Sequence, residues 1–376
     1  MAENLSKETI AKIEALLQAE LWQRAREELN LYLSVYPDHP HLQLLQAKLA
    51  YAQGNSGKAE EIFRQLLKTS IQPQILNQAR QGLRQIEADA LARRQQRMAE
   101  IADSEAGQTL GFLALLPVDA GKLELHSQLV TRLARILRTD VYTAKFQLPT
   151  RHLKIIRVGT MANLQAYGEE LQQAGIPCVW LSLQAVANIQ VAQVQYFQPL
   201  GLGEVRAVCE KEEWVFTWEQ VTARVEGVLP TYSGVIDVEV GLKYKIIRRE
   251  QELDRIRICD LHLPSENLIL RFHDSAYKFQ QGMQLAVRSS LPHLPPTVHE
   301  RWQAMMSWFS ETQPQIPVHN NFPQFSDMLK LHPTLLKEVN PRVNISRPKP
   351  QIIDNCFELF SAIIFLTHNC AHQSVS

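Results

Sequence analysis

The sequence predicts a multidomain protein of the α plus (α+β) class, with helical hairpins at the N-terminus, two modules that mix helices and strands, and a helical tail. Three observations predict this class. A helical pattern recurs after 34 residues, helix-like and strand-like segments alternate over residues 108–187, and seven strand-like runs follow over residues 189–279. A chain of 376 residues is also too long for one ordinary core, so several domains are expected.

The recurring pattern pairs RAREELNLYL (24–33) with KAEEIFRQLL (58–67). A small residue, a large apolar residue and a leucine take the same places in both segments, at Ala25, Leu29 and Leu33 and again at Ala59, Phe63 and Leu67. Small residues suit a close crossing of two helices, and large apolar residues fill the space beside it. The pattern favours a repeated helical hairpin, and an unrelated four-helix bundle is the alternative.

A helical hairpin with this period resembles the tetratricopeptide repeat. The resemblance covers roughly residues 5–100, with units beginning at Ser6 and Pro40 and a more polar helix over residues 74–99 closing the stack. It implies that residues 1–107 form a repeat domain and that a partner peptide lies along the inner face formed by the first helix of each unit. The residues it places on that face are Lys7, Glu14, Gln18, His41, Lys48 and Tyr51.

The resemblance departs from family members that grip a C-terminal carboxylate with lysine, asparagine and arginine. The corresponding positions here hold Ile10, Glu14, Leu45, Ile75 and Ala79. We therefore do not expect a chaperone tail as the partner. Packing of the groove on the rest of the chain is the alternative to partner binding.

Residues 108–187 carry elements in the order strand, helix, strand, strand, helix, strand. The strand-like runs are GFLALLPV, VYTAKFQL, LKIIRV and IPCVWLSL; the helices are LELHSQLVTRLARIL and a segment that Thr160 can cap. The second run alternates cleanly, with one face formed by Tyr142, Ala144, Phe146 and Leu148. This order is the ferredoxin-like plan, which hosts many functions.

Residues 188–311 are predicted to form a β-rich module with a closing helix. Seven short runs, among them VTARVEGVL and VIDVEVGLKYKII, predict a small barrel or sandwich. Because the helix VHERWQAMMSWF follows, the order resembles a pleckstrin-homology-like barrel. Residues 312–376 are predicted to be a loop followed by a helix whose apolar stripe docks on the protein's own core: Ile353, Phe357, Phe360 and Ile364.

Composition restricts the possible partners. Thirty-nine basic residues balance 39 acidic ones. This balance argues against an overall positive electrostatic field that would attract nucleic acid or an anionic membrane. The N-terminal sequence does not resemble a secretory signal, and the apolar stretch at residues 356–368 is too short to span a bilayer. Five cysteines without a C-x-x-C pair predict reduced thiols. A cytoplasmic protein is expected, and peripheral membrane contact remains open.

No motif predicts a catalytic residue, a cofactor or a metal. PVDAGK lacks the first glycine and the final Ser or Thr of a phosphate loop, and GLGEVRA precedes a strand-like rather than a helical segment. HNCAH near the end alternates ligand types without a second pair at zinc-site spacing.

The β-rich module leaves two alternative sites open. Asp260 and His262 share a strand face, and they could form an acid–base or metal site if His273 comes within about 4 Å of His262 in an open cleft. The run KYKIIRRE could bind phosphoinositide or another anion, or it could simply protect an edge strand. Its cations are Lys243, Lys245, Arg248 and Arg249.

The expected function is an interaction scaffold or a regulatory assembly factor that binds a partner protein through its repeats. An enzyme or an anion-binding regulator that uses the β-rich module is the competing class. The repeat register also predicts that leucine at Ala59 overpacks a helix crossing, whereas Glu60 is an exposed, tolerant neighbour.

Overall fold

A computed structural model describes residues 7–119, 121, 123–201, 203–239, 245–287, 293–345 and 351–373. The chain divides into two compact units, Met1–Glu100 and Ile101–Ser376, called the helical unit and the mixed unit below. The mixed unit combines a three-stranded and a seven-stranded sheet with helices. The predicted combination of helices with α+β structure is confirmed at the level of class.

The helical unit consists of consecutive helices joined by short turns. They are α1 (Lys7–Gln18), α2 (Trp22–Val35), α3 (Pro40–Ala52), α4 (Ser56–Thr69) and α5 (Pro73–Ala102). Prolines open α3 and α5, where the fixed φ of proline suits a helix start and its missing N–H costs no hydrogen bond. The turn between α3 and α4 places Gly54 at φ +80°, a conformation that glycine adopts at little cost.

Two apolar clusters hold the helical unit together, one around α1–α3 and the other around α3–α5. Ala25 and Ala59 are fully buried at the positions where the sequence register places helix crossings. At Gly82 in α5 an added Cβ would lie 2.4 Å from the Phe63 ring of α4, so these helices also approach closely. The resemblance to the repeat family itself stays a prediction.

The prediction that Glu60 is exposed is wrong. Its relative exposure is 4%, and its Oε1 lies 2.8 Å from Nη2 of Arg64 one helical turn later. The buried face of α4 is thus wide enough to include the residue next to Ala59. Glu61 is exposed and provides the matched surface position instead.

The mixed unit begins with a three-stranded antiparallel sheet in the order β2–β1–β3. Its strands are β1 (Leu110–Leu115), β2 (Lys154–Thr160) and β3 (Cys178–Ser182). The helices before, between and after them are α6 (Glu105–Gln108), α7 (Leu123–Leu137), α8 (Val141–Gln147), α9 (Met161–Gln173) and α10 (Leu183–Ala187). An apolar cluster joins α7, α8 and α9 to one face of this sheet. Thr160 precedes α9 at the predicted N-cap position, without a side-chain hydrogen bond to the helix.

The prediction of a fourth strand in this region is wrong, because VYTAKFQL forms α8. The Oδ1 atom of Asp140 accepts a hydrogen bond from a backbone N–H of the first turn at 2.8 Å, so the helix starts with a side-chain cap. Ala144 and Leu148, four residues apart, are buried together, whereas Tyr142 and Phe146 are exposed. The described chain therefore has three of the four strands of the ferredoxin-like plan.

The seven-stranded sheet has the order β10–β7–β8–β9–β4–β5–β6. Its strands are β4 (Gln190–Gly201), β5 (Glu204–Cys209), β6 (Glu213–Thr217), β7 (Ala223–Glu239), β8 (Lys245–Leu263), β9 (Leu268–His273) and β10 (Val318–His319). The pairs β10–β7 and β4–β9 are parallel, and the other neighbours are antiparallel. The two end strands of this order, β10 and β6, do not pair with each other among the described residues, so the sheet is not the closed barrel that was one of the two predicted arrangements.

The predicted strand boundaries inside the longest hairpin are wrong. The run VTARVEGVL, from Ala223 onward, and the first part of VIDVEVGLKYKII belong to one strand, β7, and KII already begins β8. Residues 240–244 between the two lie outside the described residues. Pairing of β7 with β8 continues on both sides of Pro230, with a register shift between Thr231 and Tyr232.

The C-terminal helices of the mixed unit are α11 (Val298–Thr312), α12 (Phe322–Leu329), α13 (Pro333–Glu338) and α14 (Ile352–Gln373). Helix α11 packs in an apolar cluster with β4–β6, β8 and β9. A separate cluster joins the three-stranded sheet, β7–β9 and α12–α14, and it includes Phe112, Ile258 and Phe357. The sequence predicts domain boundaries between residues 187 and 188 and between residues 311 and 312. This core contains residues from both sides of each of these positions. The docking predicted for the apolar stripe of α14 is confirmed, since Phe357, Phe360 and Ile364 are buried.

Candidate functional site

The predicted inner face of the helical unit lies partly in the seam between α3 and α5. Lys48 Nζ donates to Gln78 Oε1 at 2.8 Å, and the Tyr51 hydroxyl donates to Asp89. Burial and the hydrogen bond to Asp89 raise the pKa of Tyr51, whose ring packs against the α3–α5 cluster. Tyr51 therefore supports the fold, and its role in binding a partner stays a prediction.

The other predicted inner-face residues are more accessible. Gln18 is exposed, and Glu14 and His41 are half-buried. The ring of His41 lies 5.8 Å from that of His39, whose pKa is lowered by burial and then by the neighbouring imidazole. The side chain of Lys7 lies outside the described residues. The structure thus spreads these positions over α1 and α3.

A groove of about 390 Å³ lies among α2, α3 and α4, and we call it the amide groove. Its apolar lining residues, Leu29, Leu49 and Ala50, are buried. Its polar lining residues are exposed or half-buried: Arg26, Asn30, Gln46, Gln53, Asn55 and Lys58. Arg26 donates to the side-chain oxygen of Gln53, which links α2 to the end of α3.

The amide groove and the predicted inner face occupy opposite sides of α3. Successive helical residues are rotated by about 100°, so Lys48 and Tyr51 lie roughly 140–200° around the helix from Gln46. Gln46 lines the amide groove, whereas the other two side chains bond to α5. No short sequence motif marks this groove, because its lining comes from three helices.

A second set of polar residues forms a buried ion cluster in the mixed unit, defined by Asp260 on β8, Arg271 on β9, Arg342 before α14 and Glu358 on α14. Arg271 Nε and Nη2 donate to the two oxygens of Asp260 at 2.8 and 2.7 Å. Arg271 Nη1 donates to Glu358 Oε2 at 2.5 Å, and Arg342 Nε donates to Glu358 Oε1 at 2.8 Å. Two carboxylates thus balance two guanidinium groups.

Burial opposes the charged forms in this cluster, but the ion pairs outweigh burial. Burial alone would raise the pKa of Glu358, but the charges and hydrogen bonds of Arg271 and Arg342 lower it by more, so the pKa lies below its ordinary value. Burial likewise opposes the charge on Arg271, yet the neighbouring carboxylates raise its pKa. Glu358 and Arg271 are therefore charged, and their ion pair ties α14 to the centre of the seven-stranded sheet.

Ser361, His262 and Asp260 contain the residue types of a hydrolytic triad but not its geometry. The Ser361 hydroxyl donates its single hydrogen to Asp260 Oδ2 at 2.5 Å. His262 Nε2 lies 2.9 Å from the same hydroxyl, so it must donate to Ser361 rather than accept its proton. All three side chains are fully buried. The arrangement satisfies buried polar groups and leaves no accessible nucleophile.

The condition for the alternative enzyme site, an approach of His262 to His273, is not met. On paired strands β8 and β9, His262 is opposite Ile269, and His273 is opposite Ile258. Four residues of strand separate these positions, or about 13 Å at the usual rise per residue. His273 instead contacts the backbone oxygen of Asn344 at 2.9 Å, and burial is the main cause that lowers its pKa.

The structure describes few side chains at the remaining predicted positions. Lys243 lies outside the described residues, and Lys245, Arg248 and Arg249 lie on β8 with side chains outside the description. The side chains of HNCAH also lie outside it. Within the described residues, no group of three or more His, Cys, Asp or Glu side chains could hold a metal ion, and no helix is long and apolar enough to cross a membrane.

The described cysteines are free and buried: Cys178, Cys209, Cys259 and Cys356. Burial raises the pKa of Cys178 and Cys209 to about 12 and that of Cys356 to about 11. Thiols in this state are poor nucleophiles because the reactive thiolate is scarce at neutral pH.

Comparison of the chain with protein-family models, with curated proteins and with solved structures finds no match.

Proposed function

We propose that this protein is an interaction scaffold or assembly factor, and that its helical unit holds a segment of a partner protein in the amide groove. The observation that carries the proposal is the combination of a buried apolar floor with a rim of amide and cationic side chains. A groove of about 390 Å³ falls in the size range of ordinary ligand sites.

The rim chemistry suits an extended peptide. Asparagine and glutamine each carry both a donor and an acceptor, so they can pair with the N–H and C=O groups of a peptide backbone. The rim offers four such side chains, Asn30, Gln46, Gln53 and Asn55. The oxygens of Gln53 and Asn55 already accept from Arg26 and from the Lys58 backbone N–H, so these two contribute mainly their NH2 groups. Small apolar side chains of the partner fit the floor, and Arg26 and Lys58 favour a nearby carboxylate.

The resemblance to tetratricopeptide repeats supports a binding role for the same unit. It also implies a different location for the partner-binding site. The inner face that it implies includes Glu14, Gln18 and His41, on the other side of α3 from the groove. Accessibility favours the groove, because most of its polar rim is exposed, whereas Lys48 and Tyr51 of the inner face are half-buried and bond to α5.

Site-specific photo-cross-linking in the full chain tests the location. A benzophenone amino acid replaces Asn30 in the groove in one protein and Gln18 on the inner face in another. Each protein is irradiated in an extract of the cells in which this chain naturally occurs. The cross-linked partner is identified by mass spectrometry and then purified. We expect the partner to be cross-linked from position 30 and not from position 18.

Affinity measurements with that purified partner test the chemistry. The double variant Arg26→Glu/Lys58→Glu should weaken binding about tenfold or more, because it reverses both groove cations. The matched control, Arg24→Glu/Lys68→Glu, makes the same charge change at exposed positions of the same two helices outside the groove. Cross-linking from position 18 alone, or equal losses in the two double variants, would overturn the proposed groove.

A further inference from the structure

Helix α8 presents two neighbouring aromatic side chains to solvent. Tyr142 is 72% exposed and Phe146 is 62% exposed, and their ring centroids lie 4.7 Å apart in an edge-to-face arrangement. Ala144 and Leu148 on the other side of the helix supply its contact with the core. The fold therefore does not require the outward rings. Adjacent exposed aromatics are uncommon on a free surface and typical of an interface.

Positive charge accompanies the aromatic pair. Lys145 is exposed and shares the outward face with Tyr142 and Phe146, because residues three and four apart are neighbours on a helix. Lys154 of β2 places its ammonium 2.8 Å from the Phe146 carbonyl oxygen at the end of α8. The carboxylate of Asp140 caps the opposite end of the helix and accepts hydrogen bonds from its first turn. The ring-bearing face is thus cationic.

We propose that α8 is a docking site for an acidic segment of a partner protein. An apolar side chain of that segment packs between Tyr142 and Phe146, and its carboxylates face Lys145 and Lys154. Aromatic anchors flanked by charge are the usual carriers of binding energy in protein interfaces. A second copy of this chain fits poorly, since it would oppose like charges. A lipid surface fits less well, because membrane affinity scales with buried apolar area and the seven residues of α8 expose few apolar side chains.

Selection from a displayed library of random peptides tests this proposal on the full-length protein. Peptides are retained that bind the wild type and not the double variant Tyr142→Ser/Phe146→Ser. We expect the enriched sequences to combine Asp or Glu with Leu, Phe or Trp. A synthetic peptide of the enriched sequence should bind the double variant about tenfold or more weakly by fluorescence anisotropy, as removal of aromatic anchors predicts.

One further variant tests the contribution of charge to peptide binding, and another controls for the loss of an exposed apolar side chain. Lys145→Glu should weaken the same peptide several-fold and reduce the salt dependence of its binding. Leu331→Ser, at a residue that is 75% exposed elsewhere in the mixed unit, is the matched control and should leave the affinity unchanged. Thermal unfolding of each variant should match the wild type because the altered side chains are exposed.

The proposal is overturned if no peptide distinguishes the wild type from the double variant, or if the enriched peptides lack acidic residues. It is also overturned if the wild type selects no peptide but binds vesicles of phosphatidylserine through Tyr142 and Phe146, since the surface then recognises lipid.

Discussion

Replacing Glu358 by glutamine tests whether the buried ion cluster holds α14 on the sheet. Glutamine keeps the shape of the side chain but removes one negative charge. Glu358 is 1% exposed, and it accepts hydrogen bonds from Arg271 and Arg342. Because the four charges of the cluster balance, the variant leaves one positive charge without a counterion in the core.

The expected loss follows from the burial of the two guanidinium groups. Removing one partner of a buried ion pair costs about 3–5 kcal/mol. The Arg342 side chain is 25% exposed, so water can screen part of the unpaired charge. We therefore expect a loss near the lower end, about 3 kcal/mol, or roughly 6–12 °C in Tm for a unit of this size.

Tryptophan fluorescence during urea and thermal unfolding measures this loss, since five of the six tryptophans lie in the mixed unit. The control is Asp327→Asn, which removes an exposed carboxylate paired with Lys330 and should change stability by less than about 1 kcal/mol. A Glu358→Gln loss no larger than the control's would refute the idea that the cluster fixes α14.

The pH dependence supplies a second readout of the same cluster. The folded pKa of Glu358 lies below its ordinary 4.5, so its stabilisation is present above pH 4.5 and is lost as the pH falls through the lowered folded pKa. The difference in unfolding free energy between wild type and Glu358→Gln should therefore narrow in that acidic range. A difference that stays constant there would show that the carboxylate charge is not responsible.

Three other predictions concern packing and histidine. Ala59→Leu should destabilise the protein by about 1–3 kcal/mol, whereas Glu61→Leu at the exposed control position should cost no more than about 0.5 kcal/mol; equal costs in urea unfolding would contradict the helix-crossing register. Gly227→Ala should destabilise by about 1–3 kcal/mol because its Cβ would lie 2.6 Å from the Phe357 ring, and adding Phe357→Leu should recover part of that loss if overlap is the cause. Burial lowers the pKa of His273 below 6.5, so its neutral form stabilises the fold above that pH, and this stabilisation is lost as the pH falls through the lowered folded value. His273→Asn should thus reduce the loss of unfolding free energy between pH 7.5 and the acidic range, and an unchanged pH slope would refute this role.

Local sequence patterns were sufficient to predict those elements in which the hydrophobic period and the turn residues indicate the same structure. Ala25 and Ala59 identified buried positions of the helical unit, and Gly54 identified the turn between α3 and α4. The same reasoning failed at α8, where Tyr142, Ala144, Phe146 and Leu148 fit a period of two as well as a helix. Asp140 was the available signal for a helix, because its side chain can cap a first turn.

The candidate sites depended on contacts that no short pattern encodes. The residue types in CDLHL predicted a polar site, but strand register pairs Asp260 with Arg271 and separates His262 from His273. A register shift of one residue would turn these side chains to the other face, so pairing partners cannot be read from either strand alone. The amide groove likewise requires three helices to pack at one place.

By itself, the sequence determined that a helical N-terminal part precedes a mixed α+β part, because hydrophobic period and turn residues act over a few positions. Only the tertiary structure decided that Glu358 meets Arg271, 87 residues earlier in the chain, and that Tyr142 and Phe146 remain outside the core. The physical reason is that burial of a charge or a ring depends on which distant element covers it. That choice is made by the packing of the whole unit.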